Sequence, residues 1–317
     1  MKQPVIAVVI PCYNEAEALP HTLKRLKGII GELCDSQLID PRSYILCCDD
    51  GSRDATWTVI SEQHDCDPMV KGIALAHNRG HQYALLAGLM TARGHCDAAI
   101  SIDADLQDDP EAIREMVIKF REGCEIVYGV RSSRATDTMF KRISARAFYR
   151  LQHCMGLQTV FDHADYRLMS NRALDLLSEY KESNLFLRGI VPQIGLKTAI
   201  VHYDRSARVA GESKYPLAKM LSFSIDGITS FTSRPIRLIF YFGIILLLID
   251  VVMALYVFIS YFGHDVIPGW TSIMLSIWFL GSIILISLGI VGEYVGKIFQ
   301  EVKGRPRYAI KEYLLDD

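Results

Sequence analysis

Residues 5–10 form an apolar run closed by Pro11, and further strand-like runs follow at 44–48, 71–76, 98–102 and 125–130. Short apolar runs bounded by turn residues predict strands buried on both faces of a parallel sheet. Between them, residues 16–33 and 82–93 carry apolar positions at helical spacing. Asp54 is placed to cap one further helix, and Pro110 and Glu111 open another. Strands and helices alternating at this length predict right-handed crossovers and an α/β fold with a mostly parallel sheet.

The pattern changes near residue 235. Residues 238–262 and 270–294 are predominantly apolar. Each run is longer than the roughly 20 residues that cross a hydrocarbon core. The intervening 263–269 holds no Lys or Arg. Arg234 and Arg237 precede the first run, and Lys297, Lys303, Arg305 and Arg307 follow the second. This asymmetry predicts a two-helix transmembrane hairpin with both chain ends in the cytosol of a multi-pass cell-membrane protein. Residues 215–231, with Lys214 and Lys219 nearby, mix polar and apolar positions and predict amphipathic helices at the membrane interface. Asp250 falls inside the first apolar run, where a charge is costly, and is expected to be protonated or to face Ser276 or Ser282 of the second run, or a neighbouring subunit. The expected divisions are 1–212 for the sheet domain, 213–235 for the interface helices, 236–299 for the hairpin and 300–317 for a cytosolic tail.

Composition narrows the functional classes. A formal net charge of -2 gives no electrostatic case for a nucleic-acid partner. All eight cysteines fall between Cys12 and Cys154 without a Cys-x-x-Cys pair. They read as reduced thiols, several of them in the core. No signal peptide is visible before the first strand. No Gly-x-Gly-x-x-Gly follows that strand and no Walker-type loop occurs.

Polar chemistry instead gathers where the strands end: Tyr13 and Glu15, Asp49 and Asp50, Asn78, then Asp103 and Asp105. An isolated Asp-x-Asp is most often a solvated acidic turn. Four strand ends meeting on one rim point to a single polar cleft, which is where open α/β sheets bind ligands. Asp103, Asp105 and Gln107 alternate after the apolar run at 98–102. On an extended exit they would present hard oxygen donors on one face, suited to Mg²⁺ or Mn²⁺ with a diphosphate.

The strings Val9-Ile10-Pro11-Cys12-Tyr13-Asn14-Glu15, Asp49-Asp50-Gly51-Ser52-Arg53-Asp54, Asn78-Arg79-Gly80-His81 and Asp103-Ala104-Asp105-Leu106-Gln107-Asp108, in this order, resemble the inverting family-2 glycosyltransferases of the GT-A fold. Asp165-Tyr166-Arg167-Leu168-Met169-Ser170, Arg208-Val209-Ala210-Gly211-Glu212-Ser213-Lys214, the hydrophobic hairpin and Lys303-Gly304-Arg305-Pro306 narrow the resemblance to polyprenyl-phosphate glycosyltransferases. That group includes bacterial undecaprenyl-phosphate glucosyltransferases and dolichol-phosphate mannose synthases. The resemblance implies that Pro11, Tyr13, Glu15 and Asp50 hold the nucleoside. It implies that Asp103, Asp105 and Gln107 meet metal and diphosphate, and that Asp165 faces the transferred sugar and acceptor. Arg131, Arg208 and Lys214 handle phosphates on the same reading; Arg134, Lys141, Arg142 and Arg205 are weaker candidates.

The implied activity is metal-dependent transfer of a hexose, from UDP-glucose, to undecaprenyl phosphate. UDP-N-acetylglucosamine and GDP-mannose are the alternative donors. The implied partners are the nucleotide sugar, the lipid phosphate, the membrane and further copies of the chain. Asp109, Ala164 and Arg79 depart from the family's usual residues, which bears on sugar preference more than on reaction type. No Gln-x-x-Arg-Trp string is present, which argues against a processive polysaccharide synthase. A non-catalytic scaffold on the same fold is the competing class, and the intact Asp103, Asp105, Gln107 and Asp165 weigh against it.

Overall fold

The computed structural model describes residues 3–131, 163–182, 185–204, 239, 241–243, 245, 248, 249, 252, 255 and 269–315. Those residues fall into two units, one built on the sheet and including the segment from Arg305, the other holding the described residues of 239–304.

The sheet unit runs β1 (Ile6–Cys12), α1 (Leu19–Asp35), β2 (Tyr44–Asp49), α2 (Thr56–Cys66), β3 (Val70–Leu75), α3 (His81–Ala92), β4 (Ala98–Ser101), α4 (Ala112–Arg121) and β5 (Ile126–Arg131). It continues with β6 (His163–Ser170), α5 (Asn171–Glu179), the short α6 (Leu187–Ile190), a 3-10 turn (Val191–Ile194), β7 (Thr198–Tyr203) and, after the second unit, β8 (Ile310–Leu314). The strand order is β7-β5-β6-β4-β1-β2-β3-β8. Every pair is parallel except those made by β6 with β4 and β5 and by β8 with β3.

All seven residues of β1 are buried, because helices cover both faces of the sheet. Ile6, Val8 and Ile10 join the core formed with Leu23, Leu26 and Ile30 of α1 and Met116 of α4. Val9 and Cys48 face α3, where a side chain at Gly88 would collide with both. The expected strands and helices are therefore present, with shifted ends. β1 continues through Pro11 to Cys12. The backbone polar groups of Val9 and Pro11 point to the β4 side, and β4 has already ended at Ser101 opposite Val9. The missing proline N–H therefore faces no ladder.

Three strands departed from expectation. β6 reads as a polar string, and its burial depends on ion pairs. β7 is an edge strand with alternate exposure. Residues 310–314, expected in a tail, pair with β3, from Gly72↔Leu314 to Leu75↔Ile310.

In the second unit, α7 (Trp270–Lys303) is a single long helix. Its portion Phe279–Lys303 is long and apolar enough to cross a membrane, and none of that window is buried. It is the one such helix among the described residues, where the apolar pattern predicts two. The described residues of 239–255 are helical, and Tyr241, Leu248 and Val252 are exposed. The remainder of that run, with Asp250, and the interface segment 215–231 lie outside the described residues. Gly304 takes the left-handed conformation that ends α7.

Candidate active site

The register puts the exits of four parallel strands side by side. Cys12 pairs with Asp49, Asp49 with Ala74, and Val9 with Ser101. The loops after β1 and β2 are then cross-linked. Asn14 N–H donates to Ser52 Oγ (2.9 Å), Arg53 N–H to Asn14 Oδ1 (2.8 Å), and Glu15 N–H to Thr56 Oγ1 (2.9 Å). Gly51 has a positive φ, and a Cβ there would sit 2.9 Å from Asn78 N. Only glycine lets the loops after β2 and β3 touch here. On this rim Tyr13 is 41% exposed and Glu15 is half-buried, whereas Pro11 is buried within β1.

Asp50 is buried at 2% exposure. Its two oxygens accept the Arg79 N–H (2.7 Å) and the Gly80 N–H (2.8 Å), so the carboxylate staples the loop after β3. Burial raises its pKa, and the two N–H groups offset only part of that rise.

The staple matters because that loop delivers His81, the first residue of α3, to the exit of β4. His81 Nε2 lies 2.9 Å from Asp103 Oδ1. Partial burial opposes charge on the imidazole, but the hydrogen bond and charge of Asp103 outweigh it, and the His81 pKa is raised.

Past Asp103 the chain does not stay extended. It turns at Ala104–Asp105, Leu106 adopts a positive φ, and Gln107 N–H donates to Asp105 Oδ1 (3.2 Å). The expected alternation of Asp103, Asp105 and Gln107 on one extended face is thus replaced by an Asx-type turn, since the short Asp105 side chain captures the N–H two residues on. Thr22 Oγ1 anchors the turn through Ala104 O (2.6 Å), and Gln107 is buried. Among the described residues no group of three or more His, Cys, Asp and Glu side chains is assembled for a metal. The donor set still fits one. Two partly exposed carboxylates, Asp103 and Asp105, supply hard oxygens on one loop, and His81 orients the first.

β6 contributes the other half of the site. It runs antiparallel to β4 with Ser101 opposite Arg167, and Ser101 Oγ donates to Asp165 O. Period two puts Asp165 and Arg167 on one face. Arg167 Nη2 lies 2.5 Å from Asp165 Oδ1, and Arg188 binds the same carboxylate with Nε (3.3 Å) and Nη2 (3.1 Å). Asp165 is 8% exposed and Arg167 2%. Burial alone would raise the Asp165 pKa. Arg188, then Arg167, then the nearby His81 outweigh burial and hold it far below the usual carboxylate range. Arg188 reaches the cluster from α6, whose Leu187 N–H donates to Gln82 Oε1 (3.1 Å) beside His81.

Arg131, at the end of β5, is engaged. Its Nη2 lies 3.0 Å from Asp108 Oδ1, and Tyr203 Oη donates to the same oxygen (2.7 Å). Burial opposes the Arg131 charge, but Asp108 and Tyr203 dominate and raise its pKa. Arg208 and Lys214 lie outside the described residues, as do Arg134, Lys141, Arg142 and Arg205. The described site therefore brings together Asp103, Asp165 and their partners, with Asp105 and Gln107 on the adjoining turn. His81, Asp108, Arg167, Arg188 and Tyr203 were not anticipated as site residues. Asp165 and Arg167 at period two were a usable signal; nothing local marks Arg188, which meets its partner across a gap in sequence.

The sequence pattern of glycosyl transferase family 2 matches residues 7–177. The uncharacterized glycosyltransferase YkoT of Bacillus subtilis (strain 168) is 51% identical over 308 residues, covering 97% of this chain and 91% of the relative. The SfII prophage-derived bactoprenol glucosyl transferase of Shigella flexneri is 37% identical over 311 residues, covering 97% of each. The crystal structure of mannosyl-3-phosphoglycerate synthase from Rubrobacter xylanophilus matches with a TM-score of 0.50 at 16% identity, covering 74% of each chain, a likeness of fold alone. With the family pattern spanning more than half of the chain and such relatives spanning nearly all of it, this protein belongs to glycosyl transferase family 2 and is a transferase with a GT-A-like fold.

Proposed function

We propose that the protein transfers glucose from UDP-glucose to the phosphate of undecaprenyl phosphate, inverting the anomeric carbon, at the cytosolic face of the cell membrane. The bracketed Asp165 carboxylate carries this reading. A general base works best with a pKa near the working pH. A carboxylate held far below its ordinary range by two guanidiniums is a poor proton acceptor. A sugar hydroxyl needs such a base, whereas a phosphate monoester, with its second pKa at about 6, already arrives mostly as a dianion at neutral pH. The bactoprenol glucosyl transferases, matched over nearly their full length, support the same acceptor class, and the exposed apolar α7 supports work at a membrane.

On this reading Tyr13, Glu15 and Pro11 line the nucleoside subsite, and Asp50 fixes its wall. Asp103, Asp105 and Gln107 would hold Mg²⁺ or Mn²⁺, which when bound offsets charge on the diphosphate leaving group. Asp165 orients the sugar or acceptor. Arg131, Arg208 and Lys214 take phosphate oxygens, Arg131 while still holding Asp108. A second span over 238–262, cytosolic chain ends, interface helices at 213–235 and self-association complete the proposal.

The test is a mass spectrum of the lipid product from the full chain in detergent. Undecaprenyl phosphate should gain one hexose that mild acid releases, and undecaprenol should stay unmodified. Running UDP-N-acetylglucosamine and GDP-mannose alongside decides the donor. Sugar found on an oligosaccharide hydroxyl, or on undecaprenol as readily as on its phosphate, would defeat the proposal.

A further inference from the structure

We propose that Arg188 is a phosphate-binding residue of this site, with Asp165 acting as the anvil that aims it. Arg188 grips Asp165 side-on with Nε and Nη2. A guanidinium is rigid and planar, so this grip directs Nη1 and its two N–H groups away from Asp165. The side chain is 39% exposed, in contrast to Arg167, which is 2% exposed on the same carboxylate. One arginine is buried to set the carboxylate, and the other is set by it and reaches solvent.

Its backbone is placed as firmly. Leu187 N–H bonds Gln82, and Arg167 Nη1 donates to Leu187 O (3.4 Å). α6 is thereby fixed beside the His81 end of α3, next to the Asp103 carboxylate. An arginine gripped along one edge and partly exposed, near the Asp103 exit of β4, suits a doubly bonded oxyanion better than a sugar hydroxyl. The ligand chemistry is a phosphate group, supplied by the donor diphosphate or by the acceptor. The inference rests on the proposed reaction only for the identity of those two sources.

The experiment measures binding to the full chain in detergent, wild type against Arg188→Ala and Arg188→Lys. The probes are UDP with uridine, undecaprenyl phosphate with undecaprenol, and inorganic pyrophosphate. Truncation should weaken one phosphorylated probe about ten- to a hundredfold while its unphosphorylated partner is unchanged. Lysine should restore part of that, because it keeps charge without the fork. Loss confined to UDP assigns the donor side, and loss confined to the lipid phosphate assigns the acceptor side. If wild type binds pyrophosphate but neither UDP nor undecaprenyl phosphate, the proposed substrates fail, and the pyrophosphate ratio still judges Arg188. Arg172→Ala, which breaks an exposed pair with Glu125, is the control and should change nothing. An Arg188→Ala protein that stays folded by its thermal transition and binds every phosphorylated probe as wild type does overturns the inference.

Discussion

Replacing Asp165 by Asn should destabilise the sheet unit far more than an exposed charge loss does. The substitution keeps the side-chain size and an acceptor oxygen but leaves the buried Arg167 without the counter-charge that lies 2.5 Å away. Breaking a buried ion pair from one side costs about 3–5 kcal/mol, because the remaining charge stays desolvated. Arg188 is partly exposed. Water therefore replaces most of what it loses, and it adds little. A domain of roughly 150–250 residues loses about 2–4 °C per kcal/mol, which makes the expected fall in Tm about 6–20 °C at neutral pH.

Acid should close the gap. The folded pKa of Asp165 is depressed. Such a carboxylate contributes stability in full above the unfolded value of about 3.9, and loses it as pH falls through the folded value. The gap between wild type and Asp165→Asn should therefore begin to narrow below about pH 4 and go on narrowing as the pH falls toward the folded value. Scanning calorimetry of the full chain in detergent, across pH, reads both effects. Asp165→Leu combined with Arg167→Met, which removes both buried charges, should recover much of the loss. A neutral-pH gap below about 2 °C, or a double variant less stable than either single one, would refute the buried-pair argument.

Asp105→Ala should cut turnover by about a hundredfold or more with only a small change in Tm, since this partly exposed carboxylate sits on a turn and its bond to the Gln107 N–H is long, at 3.2 Å. Chelator should do the same to wild type, and turnover surviving both treatments would remove the metal from the mechanism. The C-terminal segment should matter to the donor. Arg79 Nη2 donates to Pro306 O (3.0 Å) and Ala76 N–H to Ala309 O (2.9 Å), so the segment leading into β8 braces the loop that carries His81. Arg79→Ala should raise the donor KM about two- to tenfold, the effect of one modest hydrogen bond. Deleting residues 306–317 should raise it further, and an unchanged KM in both would show that the brace is idle.

The sequence alone determined the five strands β1 to β5 and their helices, because each is a local pattern: an apolar run that needs both sheet faces, or an apolar stripe at helical spacing. It also marked the strand exits, since acidic and amide residues directly after buried strands have few other places to go. The family and its reaction class were legible for the same reason, being carried by contiguous strings such as 49–54 and 103–108. Tertiary structure alone decided the rest. β6 looks polar because Asp165 and Arg167 are buried only by pairing with each other and with Arg188, a contact no window of sequence contains. β8 sits beside β3 although Gly72 and Leu314 are far apart in the chain. An edge strand's open N–H and C=O groups accept any chain brought alongside. Asp50 and Arg131 were legible as charged residues at strand ends, but their partners, the N–H groups of Arg79 and Gly80 and the Asp108 carboxylate, were not. Whether a charge is a free ligand or a staple depends on what the fold delivers within about 3 Å of it.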